Sequence, residues 1–121
     1  MKVRAWPFLL LTACMASVCS LAEKKDWSTW TAAGADDTVQ YHWQLETWGR
    51  NMSPSCNLEI RNVFTRIDAV KVKFDIKRSQ KTETLHRIYY MGDEKKQVAS
   101  DVFSDCQEIS GLTVERKTVH K

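Results

Sequence analysis

The chain contains 121 residues, a length that suits one domain and leaves little room for a second. Its 43% hydrophobic and 27% charged residues are the ordinary balance of a folded globular domain, which excludes a disordered or low-complexity chain. The formal net charge is +3, and it falls to +1 without residues 1–22, because they contain Lys2 and Arg4 and no acidic residue. This near-neutral balance predicts no nucleic-acid partner.

Residues 1–22 differ in composition from everything that follows. Two basic residues precede an uncharged, mainly apolar run, and charge returns abruptly at Glu23. A basic start and an apolar run that ends in small residues, here Ser20 and Ala22, are typical of a secretory signal peptide. A membrane helix is the alternative, but it needs about 20 strongly apolar residues, and this run contains Pro7 and several hydroxyl residues. We therefore expect a secreted or periplasmic protein with no transmembrane helix in the mature chain.

The same segment contains a second candidate processing site. The sequence Leu11-Thr12-Ala13-Cys14 resembles the lipobox of bacterial lipoproteins, in which the cysteine is lipidated and becomes the new N-terminus. Lipidation would anchor the protein to a membrane through Cys14, whereas cleavage after Ala22 would release it. We favour cleavage after Ala22, because an apolar stretch that ends at Ala13 is short.

The cysteines predict one disulfide. Of the four in the chain, Cys14 and Cys19 lie in the signal region, which leaves Cys56 and Cys106 in the mature protein. In an oxidising compartment, two cysteines allow a single intramolecular pairing. The bridge would close a loop of about 50 residues, for which the chain-entropy treatment gives roughly 4 kcal/mol of stabilisation.

The sequence contains no recognisable catalytic or metal-binding motif. Neither mature cysteine belongs to a Cys-x-x-Cys pair, and His42, His86 and His120 have no carboxylate or cysteine at ligand spacing. A Gly-x-Ser-x-Gly elbow, a His-Glu-x-x-His helix and a Gly-rich phosphate loop are also missing. We therefore predict no catalytic residue, no metal, no cofactor and no enzymatic activity.

Residues 23–37 have neither helical nor strand periodicity and are interpreted as a loose N-terminal arm. The arm carries Trp27 and Trp30, which fit either an adhesive segment or one helical turn docked on the core. Alternation of apolar and polar residues then begins and defines a domain over 38–121. This alternation predicts six strands, near 39–46, 56–62, 70–77, 85–91, 98–103 and 112–119. For 98–103, a helical turn is the alternative.

Six to seven short strands without a helical period predict an all-β fold, a small antiparallel β-sandwich with one disulfide. The likeness to immunoglobulin domains is one of architecture only. Such domains place a tryptophan between their cysteines and a tyrosine two residues before the second one. Here no tryptophan lies between Cys56 and Cys106, and Ser104 occupies the tyrosine position. Matching the apolar faces further predicts that 56–62 and 70–77 form an antiparallel hairpin, with Glu59 opposite Lys73.

Two features are candidates for a contact surface. Trp48 does not follow the alternation of its strand: if Trp43 and Leu45 point inward, Trp48 points outward. The turn next to it contains Arg50. An outward aromatic can stack on a sugar or anchor a protein, and we take Trp48 and Arg50 as the candidate binding residues. The alternative is that the strand ends before Trp48, which then packs over the edge of the sandwich.

The second candidate surface is basic. Lys71, Lys73 and Lys77 recur on one face of a predicted strand, and Arg78 follows them. Such a stripe can bind an anionic polymer, but a charged outer face is also how sandwiches stay soluble. From these observations we expect a non-catalytic interaction module that binds a protein or an envelope polysaccharide. The alternative is a small inhibitor or immunity-type protein, which would insert a loop into its partner enzyme rather than offer a sheet face.

Overall fold

The computed structural model of the protein describes residues 23–49, 52–64, 66–92 and 97–119. The proposed signal peptide, with Cys14 and the cleavage site at Ala22, lies outside these residues, as does Arg50. Within them the regular secondary structure consists of strands, and no helix is long and apolar enough to cross a membrane.

Eight antiparallel strands are present in the described part of the chain. In chain order they are β1 (Glu23–Lys24), β2 (Thr31–Ala33), β3 (Asp36–Thr47), β4 (Ser55–Asn62), β5 (Ile67–Lys77), β6 (Thr82–Tyr90), β7 (Val98–Phe103) and β8 (Glu108–Val119). The six segments predicted from alternation correspond to β3 through β8, and 98–103 is a strand rather than a helical turn. β1 and β2 are additional and come from the N-terminal arm.

The strands form two sheets. The five-stranded sheet has the order β1-β3-β4-β7, with β2 also paired to β3, and the three-stranded sheet has the order β6-β5-β8. Side chains from both sheets enclose one hydrophobic core, in which Phe74 of β5 meets Phe103 of β7 edge to face at 5.4 Å between ring centroids. The all-β antiparallel sandwich is therefore confirmed.

The period-two pattern identifies the core-facing residues correctly. On β5, four alternate residues are completely or almost completely buried, namely Val70, Val72, Phe74 and Ile76. On β4, Leu58 and Ile60 alternate with half-buried polar neighbours in the same way. Burial of such apolar side chains is worth about 1.5–3 kcal/mol each and is the main force holding the two sheets together.

The predicted disulfide is present. Cys56 on β4 and Cys106, in the connection between β7 and β8, are bonded with a Cα–Cα distance of 5.5 Å, and both are fully buried. The bond joins the five-stranded sheet to the segment that enters β8 of the three-stranded sheet. The amide of Cys106 also donates a hydrogen bond to the carbonyl of Pro54 at 2.9 Å, which fixes the connection against the start of β4.

The predicted hairpin between 56–62 and 70–77 is wrong. β4 pairs with β3 and β7, whereas β5 pairs with β6 and β8, so the two strands lie in different sheets. Their apolar faces meet across the core instead of lying side by side. Alternation cannot distinguish these arrangements, because the same residues are buried in both.

The arm predicted to be loose is bound to the edge of β3. β1 and β2 pair with the two ends of this strand, and between them the amides of Lys25 and Ser28 donate hydrogen bonds to the carbonyls of Leu45 and Trp43 at 2.9 and 2.8 Å. The arm thereby covers backbone groups that a free edge strand would expose. Its side chains are mostly exposed, which is why the sequence of the arm lacks apolar alternation.

Gly34 makes the turn that returns the arm into β3. Its φ is +67°, in the left-handed region, and a Cβ at this position would lie 2.9 Å from the Thr113 Cγ2 of β8. Both the backbone conformation and the close approach of β8 therefore require glycine.

Beside this turn, an ion pair joins the two sheets. Lys117 Nζ of β8 lies 2.8 Å from Asp36 Oδ2 of β3 and donates a hydrogen bond to Thr38 Oγ1 at 3.2 Å. Burial acts to raise the pKa of Asp36, but the hydrogen bonds from Lys117 and Thr38 outweigh it and hold that pKa below its usual value.

Candidate ligand-binding groove

The outer face of the five-stranded sheet carries buried polar side chains. On β3, His42, Gln44 and Glu46 are only 9%, 9% and 7% exposed, although they point away from the core. Their apolar neighbours on the strand pack against the core from the other face. Buried polar groups require hydrogen-bond partners, and the arm and β4 supply them.

Aromatic and basic side chains from the arm, β3 and β4 form a continuous stack on this face. The imidazole of His42 lies nearly parallel to the indoles of Trp27 and Trp30, with ring centroids 4.2 and 3.6 Å away. Two indoles at these distances would overlap on one side of the imidazole, so they occupy opposite sides. The guanidinium carbon of Arg61 lies 4.0 Å from the centroid of the Trp30 ring and completes the stack.

The two tryptophans were expected either on an adhesive arm or on a helical turn. They lie instead in an extended segment that runs along β3, and their rings enclose a histidine. This arrangement depends on the pairing of the arm with β3, which the sequence pattern does not indicate.

His42 is fixed in position by Glu59 of β4. Its Nε2 lies 2.7 Å from Glu59 Oε1, and since a carboxylate accepts hydrogen bonds, Nε2 carries the proton. The two residues are direct cross-strand partners. No carboxylate lies at ligand spacing from these histidines in the sequence, but the fold gives His42 a carboxylate partner, and it does the same for His86, whose Nδ1 lies 2.9 Å from Glu115 Oε1.

An amide network continues the polar face beyond His42. The side-chain amide of Asn57 on β4 donates to Gln44 Oε1 at 3.0 Å and to Glu46 Oε1 at 2.9 Å. The amide of Gln44 in turn donates to the backbone carbonyl of Lys25 in the arm at 3.0 Å. These contacts fix the orientation of all three side chains without any bound ligand.

The stack and the amide network border a groove of about 270 Å³. Its walls include one aromatic side chain, several polar ones and a rim lysine, chiefly Trp27, Gln44, Glu46, Asn57, Glu59 and Lys24. Trp27 is 38% exposed, and because His42 covers one face of its indole, the opposite face and the ring edges remain for a ligand. A concave site with an aromatic wall and oriented polar groups is typical of small-molecule and sugar binding.

The groove offers unengaged carboxylate oxygens as hydrogen-bond acceptors. Both N–H groups of the Asn57 amide, one N–H of the Gln44 amide and the Nε2 proton of His42 are already engaged. The second carboxylate oxygens of Glu46 and Glu59 make no hydrogen bond to the described part of the chain. A ligand in this groove would therefore meet acceptors that need donors.

Asp101, at the β7 side of the groove, is already satisfied. Its Oδ2 accepts a hydrogen bond from the Tyr89 hydroxyl of β6 at 2.7 Å, and its Oδ1 accepts one from the amide of Val102 at 2.8 Å. Burial and the hydrogen bond to Asp101 raise the pKa of Tyr89 far above its usual value, so this hydroxyl remains a donor. The pair joins the two sheets and contributes no free acceptor to the groove.

The sequence-predicted residue Trp48 lies near this groove but not in its wall. It is 45% exposed, one residue beyond the end of β3 and two residues from Glu46. It is not part of the hydrophobic core. Its role in binding stays a prediction, together with that of Arg50.

The predicted basic stripe on β5 is interrupted by acidic groups. Asp75 lies between Lys73 and Lys77 on the strand, and Glu115 of β8 is close to Lys73. The hydrogen bond from His86 is the largest influence on Glu115, and together with the charges of nearby lysines it holds the pKa of that carboxyl below its usual range. The face is therefore mixed in sign and does not favour a purely anionic ligand.

Arg78, the last member of the predicted stripe, is turned away from it. Its Nε donates to Glu83 Oε1 at 2.7 Å, and one terminal nitrogen donates to the carbonyl of Ser104 at 2.8 Å.

In residues 23–49, 52–64, 66–92 and 97–119, no group of three or more histidine, cysteine or acidic residues could hold a metal ion.

The chain was compared with known protein families, proteins and structures. No protein-family model, curated protein or solved structure matches the chain.

Proposed function

We propose that the protein is an exported, non-catalytic interaction module that binds a glycan of the cell envelope in the groove beside Trp27. The observation that carries this proposal is the indole wall next to oriented side-chain oxygens of Glu46 and Glu59. A sugar ring has an apolar face that can stack on an indole, and hydroxyl groups that can donate to these oxygens.

The groove is preorganised, which favours binding. Trp27 is held by its stack on His42, and Glu46 and Gln44 are held by Asn57. Ordering a free side chain on binding costs about 0.5–1.5 kcal/mol, and little of that cost remains here. The proposed export rests on the signal-like pattern of 1–22, and the Cys56–Cys106 bond is consistent with an oxidising compartment.

A glycan array probed with the processed, oxidised protein tests this proposal. We expect binding to an envelope oligosaccharide that Trp27→Ala weakens by about tenfold or more, as expected for loss of a stacked aromatic worth at least 1.4 kcal/mol. Tyr90→Ala is the matched control, because Tyr90 is an exposed aromatic on β6, outside the groove. Circular dichroism verifies that each variant is folded. Equal binding by Trp27→Ala and the wild type would refute the site.

Trp48→Ala tests the residue selected from the sequence. If Trp48 extends the binding surface beyond the groove, the variant should bind the same glycan more weakly and unfold at nearly the wild-type temperature. Unchanged affinity would remove Trp48 from the site and leave the groove proposal intact.

A second function, inhibition of a partner enzyme, is favoured by one feature of the loop between β4 and β5. Phe64 is 90% exposed and has a φ of +80°, a left-handed conformation that a bulky residue rarely adopts. Strained, protruding aromatics concentrate at functional sites. Capture of an envelope hydrolase that depends on Phe64 and not on Trp27 would favour the inhibitor over the glycan-binding module.

A further inference from the structure

We infer that the glycan bound in the groove carries a free primary ammonium group, which sits against Glu46 and Glu59. The ligand class is thus an unacetylated amino sugar. This inference rests on the proposed glycan-binding function and specifies its ligand.

The first argument is the charge of Glu46. The residue is 7% exposed, its Oε1 accepts only the amide of Asn57, and it forms no ion pair within the described part of the chain. Lys24 lies opposite it in the register but is exposed at the rim and does not pair with it. A mostly buried carboxylate without a cationic partner is less well solvated than a free one, and a bound cation would stabilise its charge at the groove surface.

The second argument is the balance of donors and acceptors. A neutral hydroxyl brings acceptor lone pairs as well as a donor, whereas the unengaged oxygens of Glu46 and Glu59 can only accept. An ammonium group brings three donors and no acceptor, which matches the second oxygens of Glu46 and Glu59. Hydrogen bonds between ionised partners are also the stronger kind.

The third argument is the aromatic wall. An ammonium group within about 6 Å of an indole face is attracted by the negative charge of the ring face. Trp27 lines the same groove as Glu46 and Glu59 and has one face not covered by His42. An ammonium group in this groove can therefore be attracted by the indole as well as by a carboxylate.

Calorimetry with three β-1,4-linked oligosaccharides of equal length tests the inference directly. The three contain glucosamine, N-acetylglucosamine or glucose, and they differ at one substituent of each ring. We expect the glucosamine oligomer to bind about 10- to 100-fold more tightly than the other two, the size expected for a charge-assisted contact. Its affinity should fall as salt is added, because the contact is ionic.

Glu46→Gln is the sharpest variant. It can keep an oxygen for the hydrogen bond from Asn57 while replacing the groove-facing acceptor with an NH₂ donor. We expect it to lower the affinity for the glucosamine oligomer by about tenfold or more and to leave weaker binding of the glucose oligomer unchanged. Glu108→Gln, an exposed position on β8, is the matched control and should bind like the wild type.

The outcomes are distinguishable. Equal binding of all three sugars would overturn the ammonium inference and preserve the glycan-binding proposal. Binding of none of them, with tight binding of a lysine-rich peptide, would overturn both in favour of a protein partner. If Glu46→Gln does not fold, Glu59→Gln and the comparison among sugars on the wild type still decide the question.

Discussion

Trp30 is the residue on which the arm most depends, and replacing it with alanine should destabilise the whole domain. Its indole lies between the imidazole of His42 and the guanidinium of Arg61, so one substitution removes both contacts. It also removes a half-buried indole from the segment between β1 and β2.

The size of the effect can be worked from these contacts. Stacking on His42 is worth about 0.5–1.5 kcal/mol, and the contact with Arg61 about 0.5–1 kcal/mol. A tryptophan that buries roughly 100 Å² of apolar surface adds about 2.5 kcal/mol at 25 cal/mol per Å², and this figure is an upper bound. We therefore expect Trp30→Ala to lower the free energy of unfolding by about 3 kcal/mol, a large part of the stability of a small domain.

Urea unfolding of the oxidised protein, followed by circular dichroism, measures this loss. Hydrogen exchange should show the amides of Lys25 and Ser28 losing protection in the variant, because their bonds to β3 depend on the same docking. Trp48→Ala is the control: it removes a tryptophan that is 45% exposed, outside the stack, and should cost well under 1 kcal/mol. A loss below 1 kcal/mol for Trp30→Ala, with both amides still protected, would refute the idea that the stack holds the arm.

Three further predictions concern other parts of the domain. Replacing Cys56 and Cys106 together by serine should lower the free energy of unfolding by about 4 kcal/mol, since the bond closes a loop with a sequence separation of 50; denaturant titration against the oxidised protein checks it. Because the pKa of Asp36 is lowered in the folded state, its ion pair stabilises the fold at neutral pH and loses that effect as the pH falls below the usual carboxyl range. Asp36→Asn should therefore narrow the difference in stability between neutral pH and about pH 2, and an unchanged difference would contradict this. Phe64→Gly should raise the melting temperature or leave it unchanged, because glycine relieves a left-handed strain of about 1–2 kcal/mol and little packing is lost at 90% exposure; a clear drop would mean that the ring packs on the domain.

The sequence pattern predicts which side chains enter the core but not which strands are neighbours. Val72 and Phe74 on β5 and Leu58 on β4 are buried as expected, because alternation reports the two faces of a strand. It contains no information on lateral pairing, so two strands whose apolar faces oppose each other across the core were assigned to one hairpin. The sequence predicts a short connection over 63–69, which made a hairpin reasonable, whereas the actual connection leads from one sheet to the other.

The groove was missed for a related reason. His42 and Glu59 are 17 residues apart and become partners only through the register of β3 with β4. Both occupy polar positions of alternating strands, so pairing β3 with β4 at the sequence level would have brought them together. Trp27 offered no comparable signal, because its position depends on backbone hydrogen bonds of an arm whose own pattern is irregular.

The covalent tie between Cys56 and Cys106 has a consequence for proteolysis. It encloses most of β4, all of β5, β6 and β7, and the loop that carries Phe64, whereas the arm and all of β3 lie outside it. A protease that cuts the chain once at the Phe64 loop would leave the two fragments linked, and the nicked molecule could retain its sheets. A single cut between Trp27 and β3, by contrast, would leave the segment that carries Trp27 without a covalent link to the domain. Limited digestion analysed without reducing agent would therefore reveal cuts in the arm, whereas cuts at the Phe64 loop would appear as separate fragments only after reduction. The groove would lose Trp27, its wall residue from the arm, before it lost the residues on β3 and β4.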